Sequence, residues 1–552
     1  MERGLASLRV CGRGGLRALS EKKIGFIEAF SIGVGGMIGG GIFAVLGLTL
    51  ELARGAAPLA FLFAGLVALI TAYSYAKLSV RYPSEGGTVE FIVRAFGRSF
   101  ISGWLNILLL ASYVIMLALY AYAFGSYASG LFLGGENWWT RTGFAWIIIA
   151  FFTLLNALGA YVVGKVEDVL VLFKVGVLLL FSGIGLIMGN PERLSPVNWP
   201  PLLNVLVGGL VIFLAYEGFE LIANASKDVY EPERTIPRAL YASVIFVMMV
   251  YMLTAAAAAE NLTPEEVQLY RDYALAVAAK PVLGEIGFVL IGLAALVSTS
   301  SAINATLYGT ARISYVVAKL GQLPRIVGRR VWGRATEGLV IISLASAVAV
   351  AALPLEAIGI AGSLGFLTIY AAVNLANYRL RRYTRANPVL ALLGVAVCTA
   401  SAIILVANSL PHPEYIVGAV VVFLYTAIME GLVRTGEKLK EYIDEELMQR
   451  EKLVMEVDRW LPRVVERIVA RHPDARVYLV GSVARGELHQ AHDVDVLVVT
   501  ERPPRGRERM EMQEVVAKEA GLPPRHPLHL HYATPTEEKK WLEKARRYRR
   551  LR

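Results

Sequence analysis

Cysteine is nearly absent from this 552-residue chain: Cys11 and Cys398 are the only two. One lies in an amino-terminal arm and the other in an apolar stretch, so no disulfide framework is expected. Charge is scarce as well. Only 18% of residues are Asp, Glu, Lys or Arg, against 56% hydrophobic, and the mean hydropathy is +0.53. That excludes an ordinary soluble protein, at least as far as residue 434. No cleavable secretory signal is expected either, because the first apolar segment is too long and runs on into a spanning pattern.

What is present is a series of long apolar runs. They fall near 24–50, 57–80, 99–131, 144–163, 166–189, 202–224, 237–259, 282–318, 337–353, 355–377, 388–408 and 414–433. At roughly 20 apolar residues per crossing they predict about twelve transmembrane helices. Basic residues set the orientation. Arg3, Arg9, Arg13, Arg17, Lys22 and Lys23 crowd the amino-terminal arm. Alternation puts Lys319, Arg325, Arg329, Arg330, Arg334, Arg379, Arg381, Arg382 and Arg385 on the same side. The opposite loops are poor in Lys and Arg, so both termini are expected in the cytoplasm and the chain in the cell membrane. The formal charge of +10 then reflects topology and contact with anionic membrane lipids, and no nucleic-acid partner is expected. The opposite-side segment 260–280 is long, polar and partly amphipathic, suited to act as a lid.

The first apolar run contains SIGVGGMIGGGIF, residues 31–43. Gly33, Gly35, Gly36, Gly39, Gly40 and Gly41 each weaken a helix by about 1 kcal/mol relative to alanine. Two readings follow: a spanning helix that breaks at a binding site, or close helix packing through small residues. The sixth run, VGGLVIFLAYEGFELIANASKD, favours the first. It places Glu217 and Glu220 near the bilayer centre, where a carboxylate costs at least about 2.5 kcal/mol, beside a permissive Gly218. Two interrupted helices five spans apart match an inverted repeat of two five-helix halves.

GVGGMIGGGIF, AYEGFELIANASKDVYEPERTIPRAL and SAINATLYGTARISYVVAKLGQLP, in that order, resemble the amino acid–polyamine–organocation transporters over residues 20–434. The resemblance implies a 5+5 inverted-repeat (LeuT-like) fold, an amino acid substrate and alternating access. It implies that Ile38, Gly39, Gly40 and Gly41 form an unwound link. Amides there, at the positive end of the following half-helix, would hold a substrate carboxylate. Carbonyls around Met37 and from Leu214 to Glu217 would accept from the substrate ammonium, with Tyr216 and Phe219 as aromatic walls. For Glu217 two readings stay open: direct contact with a basic substrate, or capping of the broken helix together with Glu220. The resemblance gives Glu220 a role in gating or proton handling.

Lys174 stands nine residues beyond Lys165, about 13 Å deeper along an apolar helix, too deep for easy snorkelling. A buried ammonium can exchange a proton. In proton-coupled members of the resembled family, a lysine here takes the space of a bound sodium. Lys174 would neighbour the unwound first helix and the hydroxyls of Ser298, Thr299, Ser300 or Ser301. The alternative is a purely structural lysine.

Past residue 434 the composition turns charged. Residues 435–470 read as amphipathic helical linker and 471–552 as a small α/β domain, leaving 1–22 as an amino-terminal arm and 23–434 as the membrane domain. VYLVGSVARGE followed by DVDVLVVT resembles the minimal nucleotidyltransferases of the polymerase-beta-like superfamily. By that resemblance Gly481 and Ser482 contact a nucleoside triphosphate. Asp493 and Asp495, alternating on a strand, hold Mg²⁺. A third carboxylate usual in that superfamily is missing; the candidate strand offers His529 and His531 instead, which puts transferase activity in doubt. Three functions stand side by side: an amino acid transporter with an accessory tail, a membrane-anchored nucleotidyltransferase, and a sensor built on a transporter fold. An anchor needs neither broken helices nor a midplane lysine, which favours transport.

Overall fold

Helix dominates because the apolar runs must satisfy their own backbone hydrogen bonds where no water is available. A computed structural model describes residues 24–84, 86–158, 165–323, 330–332, 335–488, 491, 493–504, 506–523, 526–545 and 547–552. The basic arm 1–23, Cys11 and Arg325, Arg329 and Arg334 lie outside the described residues. The chain divides into two units, Met1–Val433 and Arg434–Arg552.

In the first unit the helices are α1 (Phe26–Met37), α2 (Gly41–Ala53), α3 (Ala57–Arg81), α4 (Thr88–Phe96), α5 (Phe100–Leu133), α6 (Trp138–Ala157), α7 (Lys165–Met188), α8 (Leu202–Val211) and α9 (Leu221–Asn224). There follow α10 (Pro232–Asn261), α11 (Pro264–Tyr270), α12 (Ala274–Ala278), α13 (Lys280–Lys319), α14 (Glu337–Ala352), α15 (Leu355–Arg379), α16 (Arg381–Thr384), α17 (Pro388–Ser409) and α18 (Pro413–Met455), whose residues from Arg434 on belong to the second unit. A small ladder, β1 (Arg330–Trp332) with β2 (Ala335–Thr336), precedes α14. Among the described residues nine helices are long and apolar enough to cross a membrane, or ten if α8 and the segment Phe213–Asn224, bent by 52°, count as one span. The sequence reading gives about twelve. The difference lies in α1 and Gly338–Ala352, which are apolar but short, and in Gly41–Arg81, which counts once. Arg54, between α2 and α3, has φ 48°, so the chain turns there.

The segment 260–280 forms α11, a 3-10 turn and α12, and packs on α2. At the other end of the bundle Ile24 pairs with the chain after α9: its amide donates to the Asp228 carbonyl and its carbonyl accepts from Tyr230, both at 2.8 Å. This end, where α1 begins and α13 finishes, is the near end of the bundle, and the end where α2 finishes is the far end.

The second unit holds α19 (Val457–Arg471), β3 (Arg476–Val480), α20 (Gly481–Ala484), β4 (Val494–Val499), α21 (Arg507–Glu519), β5 (Leu528–Ala533), α22 (Pro535–Ala545) and β6 (Arg549–Arg550). Strand order is β5-β4-β3-β6, with β4 and β5 parallel and the other pairs antiparallel. Period-two alternation splits the side chains: Val477, Leu479, Val496 and Val498 face Trp460, Val464 and Val516, while Val480, Leu497 and Val499 face Trp541 and Leu542.

Candidate functional site

Both glycine-rich segments leave the helix where the sequence places its breakers. α1 stops at Met37, Ile38 takes φ −81° and ψ 45°, and α2 restarts after Gly40. α8 gives way to a 3-10 turn over Phe213–Tyr216, an extended Glu217 (ψ 146°) and Gly218 at φ +113°. The two breaks meet backbone to backbone. A Cβ on Gly36 would lie 2.8 Å from the Gly218 carbonyl oxygen, and one on Gly41 would lie 2.8 Å from the Ala215 Cα. The glycines therefore serve both readings of the first run, interruption and close approach.

Side chains from other helices satisfy the freed carbonyls. The Tyr251 hydroxyl of α10 donates to Met37 O at 2.6 Å and lies 3.2 Å from Ala215 O, bridging the two breaks. Ser298 of α13 donates to Ile38 O at 3.0 Å and also touches Gly39 O. Lys174 is 1% exposed although its neighbours Leu172 and Phe173 face outward, and its ammonium donates to Gly35 O at 3.3 Å. Thr299 bonds its own helix at Ala295 O, 2.7 Å, and turns its methyl toward Gly40. Ser300 is on the same helix, and Ser301 faces a cavity.

That cavity, of 310 Å³, runs from the breaks toward the near end. Gly35, Gly36, Tyr113, Tyr120, Glu217, Asn224, Ser301, Thr306 and Arg312 line it. The two carboxylates divide the labour left open by the sequence. Glu220 caps the second break: it accepts from Gly218 N at 2.9 Å, Tyr370 at 3.0 Å and Tyr113 at 3.4 Å. Glu217 lines the cavity, with Glu220 and Tyr120 as polar neighbours.

The aromatic walls differ from expectation. Tyr216 turns away, donating to Phe61 O at 2.8 Å and packing edge-on against Tyr251. Phe219 is buried against Tyr75 and Tyr370. Tyr113 and Tyr120 supply the wall, and their spacing of seven on α5, two helical turns, is a signal the sequence offered. The amides of Gly39–Gly41 also sit behind this wall: a Cβ on Gly40 would come 2.5 Å from the Tyr120 ring and 3.0 Å from the Thr299 methyl. Leu214 is fully buried, its amide donating to Ser363 at 3.3 Å.

The far end carries a polar network that sequence reading missed. Arg271 pairs with Glu51 and Asp272, both at 3.2 Å, and with Glu356. Arg141 pairs with Glu136 at 3.2 Å and lies 3.9 Å from Asp272, which also accepts from Tyr122 at 2.8 Å. Burial and the Asp272 carboxylate push Glu136 up to about 7, against the pull of Arg141. The network ties α2, α5, α6 and α15 to the turn before α12.

In the second unit Gly481 (φ +78°) turns the chain from β3 into α20, and a Cβ there would meet Asp495 Oδ2 at 2.5 Å, so glycine is required twice over. Ser482 follows on α20. Asp495 stands in register with Val480 and His529. His531 Nε2 lies 2.9 Å from Asp495 Oδ1, and its ring packs on Trp541. Asp493 Oδ1 accepts from Arg450 at 3.1 Å, with His529 at 4.0 Å. Among the described residues no three His, Cys, Asp or Glu side chains converge as a metal site. Two carboxylates still fit Mg²⁺, which commonly takes one or two from the protein and the rest from phosphates and water.

A protein-family model described as amino acid permease matches residues 24–432, and one described as nucleotidyltransferase domain matches 461–548. An uncharacterized protein of Methanocaldococcus jannaschii is 40% identical over 361 residues, 65% of this chain and 83% of that protein. The inner membrane transport protein YbaT of Escherichia coli is 34% identical over 379 residues, 68% of this chain and 88% of its own length. The serine/threonine exchanger SteT of Bacillus subtilis is 26% identical over 311 residues, 55% of this chain and 70% of its own. This chain is a multi-pass membrane protein that belongs to the amino acid permease family, within the amino acid–polyamine–organocation superfamily, and carries a nucleotidyltransferase domain after its permease region.

Proposed function

We propose that the protein is a secondary active transporter of amino acids that works by alternating access and is coupled to protons. The observation that carries this reading is the cavity built on two backbone breaks, with the Lys174 ammonium on the first of them. A substrate carboxylate is held at the start of α2, whose N-cap, Gly40, has no side chain to satisfy the first-turn amides. The ammonium is held by carbonyls around Met37 and Leu214–Glu217. Tyr120 must swing off Gly40 to admit the carboxylate. Lys174, next to the same helix, loses and regains a proton as α1 moves.

The proposed scaffold has twelve crossings in two inverted five-helix repeats plus two: α1 with α2, α3, α5, α6, α7, α8 with α9, α10, α13, α14, α15, α17 and the first part of α18. The near end is cytoplasmic, so the cavity represents an inward-facing route and the Arg271 and Arg141 network closes the outside. The test is uptake into proteoliposomes of a panel of radiolabelled amino acids with and without a pH gradient. Saturable uptake that rises with an inward proton gradient is expected. Uptake driven by sodium and indifferent to protons would overturn the coupling, and no flux of any amino acid would leave the sensor reading.

The tail is proposed to bind Mg²⁺ and a nucleoside triphosphate and to modulate the transporter. Gly481 and Ser482 would approach the phosphates and Asp493 and Asp495 the metal. Bound Mg²⁺ would neutralise phosphate charge there. Transfer of labelled nucleotide to an acceptor would favour the membrane-anchored enzyme instead.

A further inference from the structure

The nucleotidyltransferase-like unit brings a cation of its own to the acidic pair. Arg450 lies near the end of α18, 43 residues before Asp493 in sequence, yet its Nη2 donates to Asp493 Oδ1 at 3.1 Å. The helix end that carries it is anchored. Trp460 donates from its indole to Leu453 O at 2.7 Å, and Val454, Val457 and Trp460 belong to the hydrophobic core under the sheet. The guanidinium is therefore presented to the carboxylate by a packed element, not by a wandering surface side chain.

The contact is also incomplete. It uses one nitrogen, where an arginine fork can engage a carboxylate with two. Arg450 Nε is buried without a partner, which is costly for a charged donor. The ion pair is half-exposed, at 34% and 37% for the two side chains, and such pairs hold weakly. An under-satisfied cation resting on one metal-facing oxygen is poised to leave when a better cation arrives.

We propose that Arg450 is a tethered competitor for divalent metal at Asp493: it covers the carboxylate until a metal displaces it, so that α18 and the acidic pair report on each other. This rests on the reading of Asp493 and Asp495 as metal-binding. Among the described residues, His529, 4.0 Å from the same oxygen, and His531 on Asp495 are the other basic groups facing the pair. Among the described basic residues in contact with the pair, Arg450 alone comes from outside the sheet, on α18.

The test is Mn²⁺ binding to the full-length protein in detergent, followed by electron paramagnetic resonance of free Mn²⁺. Removing a half-exposed ion-pair partner and its positive charge should tighten Mn²⁺ binding by about fivefold in Arg450→Gln. Arg450→Lys, which keeps the charge, should bind like wild type and controls for folding. Equal affinity in wild type and Arg450→Gln, or weaker binding in Arg450→Gln with Arg450→Lys unchanged, would overturn the competition. Absence of Mn²⁺ binding in all three proteins would overturn the metal reading itself, and the proposal with it.

Discussion

Gly218 and Gly36 touch through their backbones: a Cβ on Gly218 would lie 2.5 Å from the Gly36 carbonyl carbon. Two broken helices thus share one contact point, and neither can take a side chain there. Gly218→Ala meets both this clash and a φ of +113°, which an L side chain rarely adopts. A loss of about 2–4 kcal/mol is expected, read as a lower melting temperature of the detergent-solubilised protein. An unshifted melting curve would show that the breaks can separate without cost.

Gly40→Leu is expected to abolish amino acid uptake while leaving the bundle folded. The added side chain competes with the Tyr120 ring and the Thr299 methyl for the space before α2. Proteoliposome flux beside a size-exclusion profile tests it. Wild-type uptake by the well-folded variant would remove the carboxylate site from this place.

Lys174→Ala takes away the ammonium that donates to Gly35 O. Concentrative uptake driven by a pH gradient should be lost, while exchange of labelled for unlabelled substrate persists at a reduced rate. A variant that still accumulates substrate in response to the gradient would assign proton coupling elsewhere.

Glu136 gives the far-end network a pH dependence of defined sign. Its carboxyl is held up to about 7 by burial and Asp272. Between its ordinary value of 4.5 and about 7 the folded protein retains a proton that the unfolded chain has lost. Its contribution is thus present at pH 4.5 and lost as pH rises through about 7. Thermal stability should decline from pH 5.5 to 8 by an increment that flattens in Glu136→Gln. An identical slope in wild type and variant would show that another group sets it. Arg141, Asp272, Tyr122, Tyr273 and Ser126 all face this carboxyl.

Asp493→Asn with Asp495→Asn should eliminate Mg²⁺-dependent binding of a nucleoside triphosphate to the full-length chain, measured by calorimetry. Loss should be complete, because both carboxylates that fit the metal are gone. Binding that survives would place the nucleotide away from β4.

Local pattern carried far in this chain. Apolar runs defined the membrane class, because a bilayer demands length and hydropathy that can be counted along the sequence. The glycines of 33–41 and Gly218 marked both breaks, since helix propensity is a local property. In the tail, alternation located β3, β4 and β5 nearly to the residue, with Asp495 on β4 and Asp493 one residue ahead of that strand.

Tertiary packing decided the rest. Which aromatics wall the cavity depended on the rotation of α5 about its axis and on the path of the chain through the break after α8: the first turned Tyr113 and Tyr120 to the cavity, the second buried Tyr216 and Phe219. Glu217 and Glu220, three apart, look alike in sequence, yet only the positive φ of Gly218 brings an amide to Glu220. Tyr251 reaches Met37 across 214 residues, and Arg271 reaches Glu51 across 220. Such pairings leave no periodicity to read, because they are set by which faces of distant elements come together.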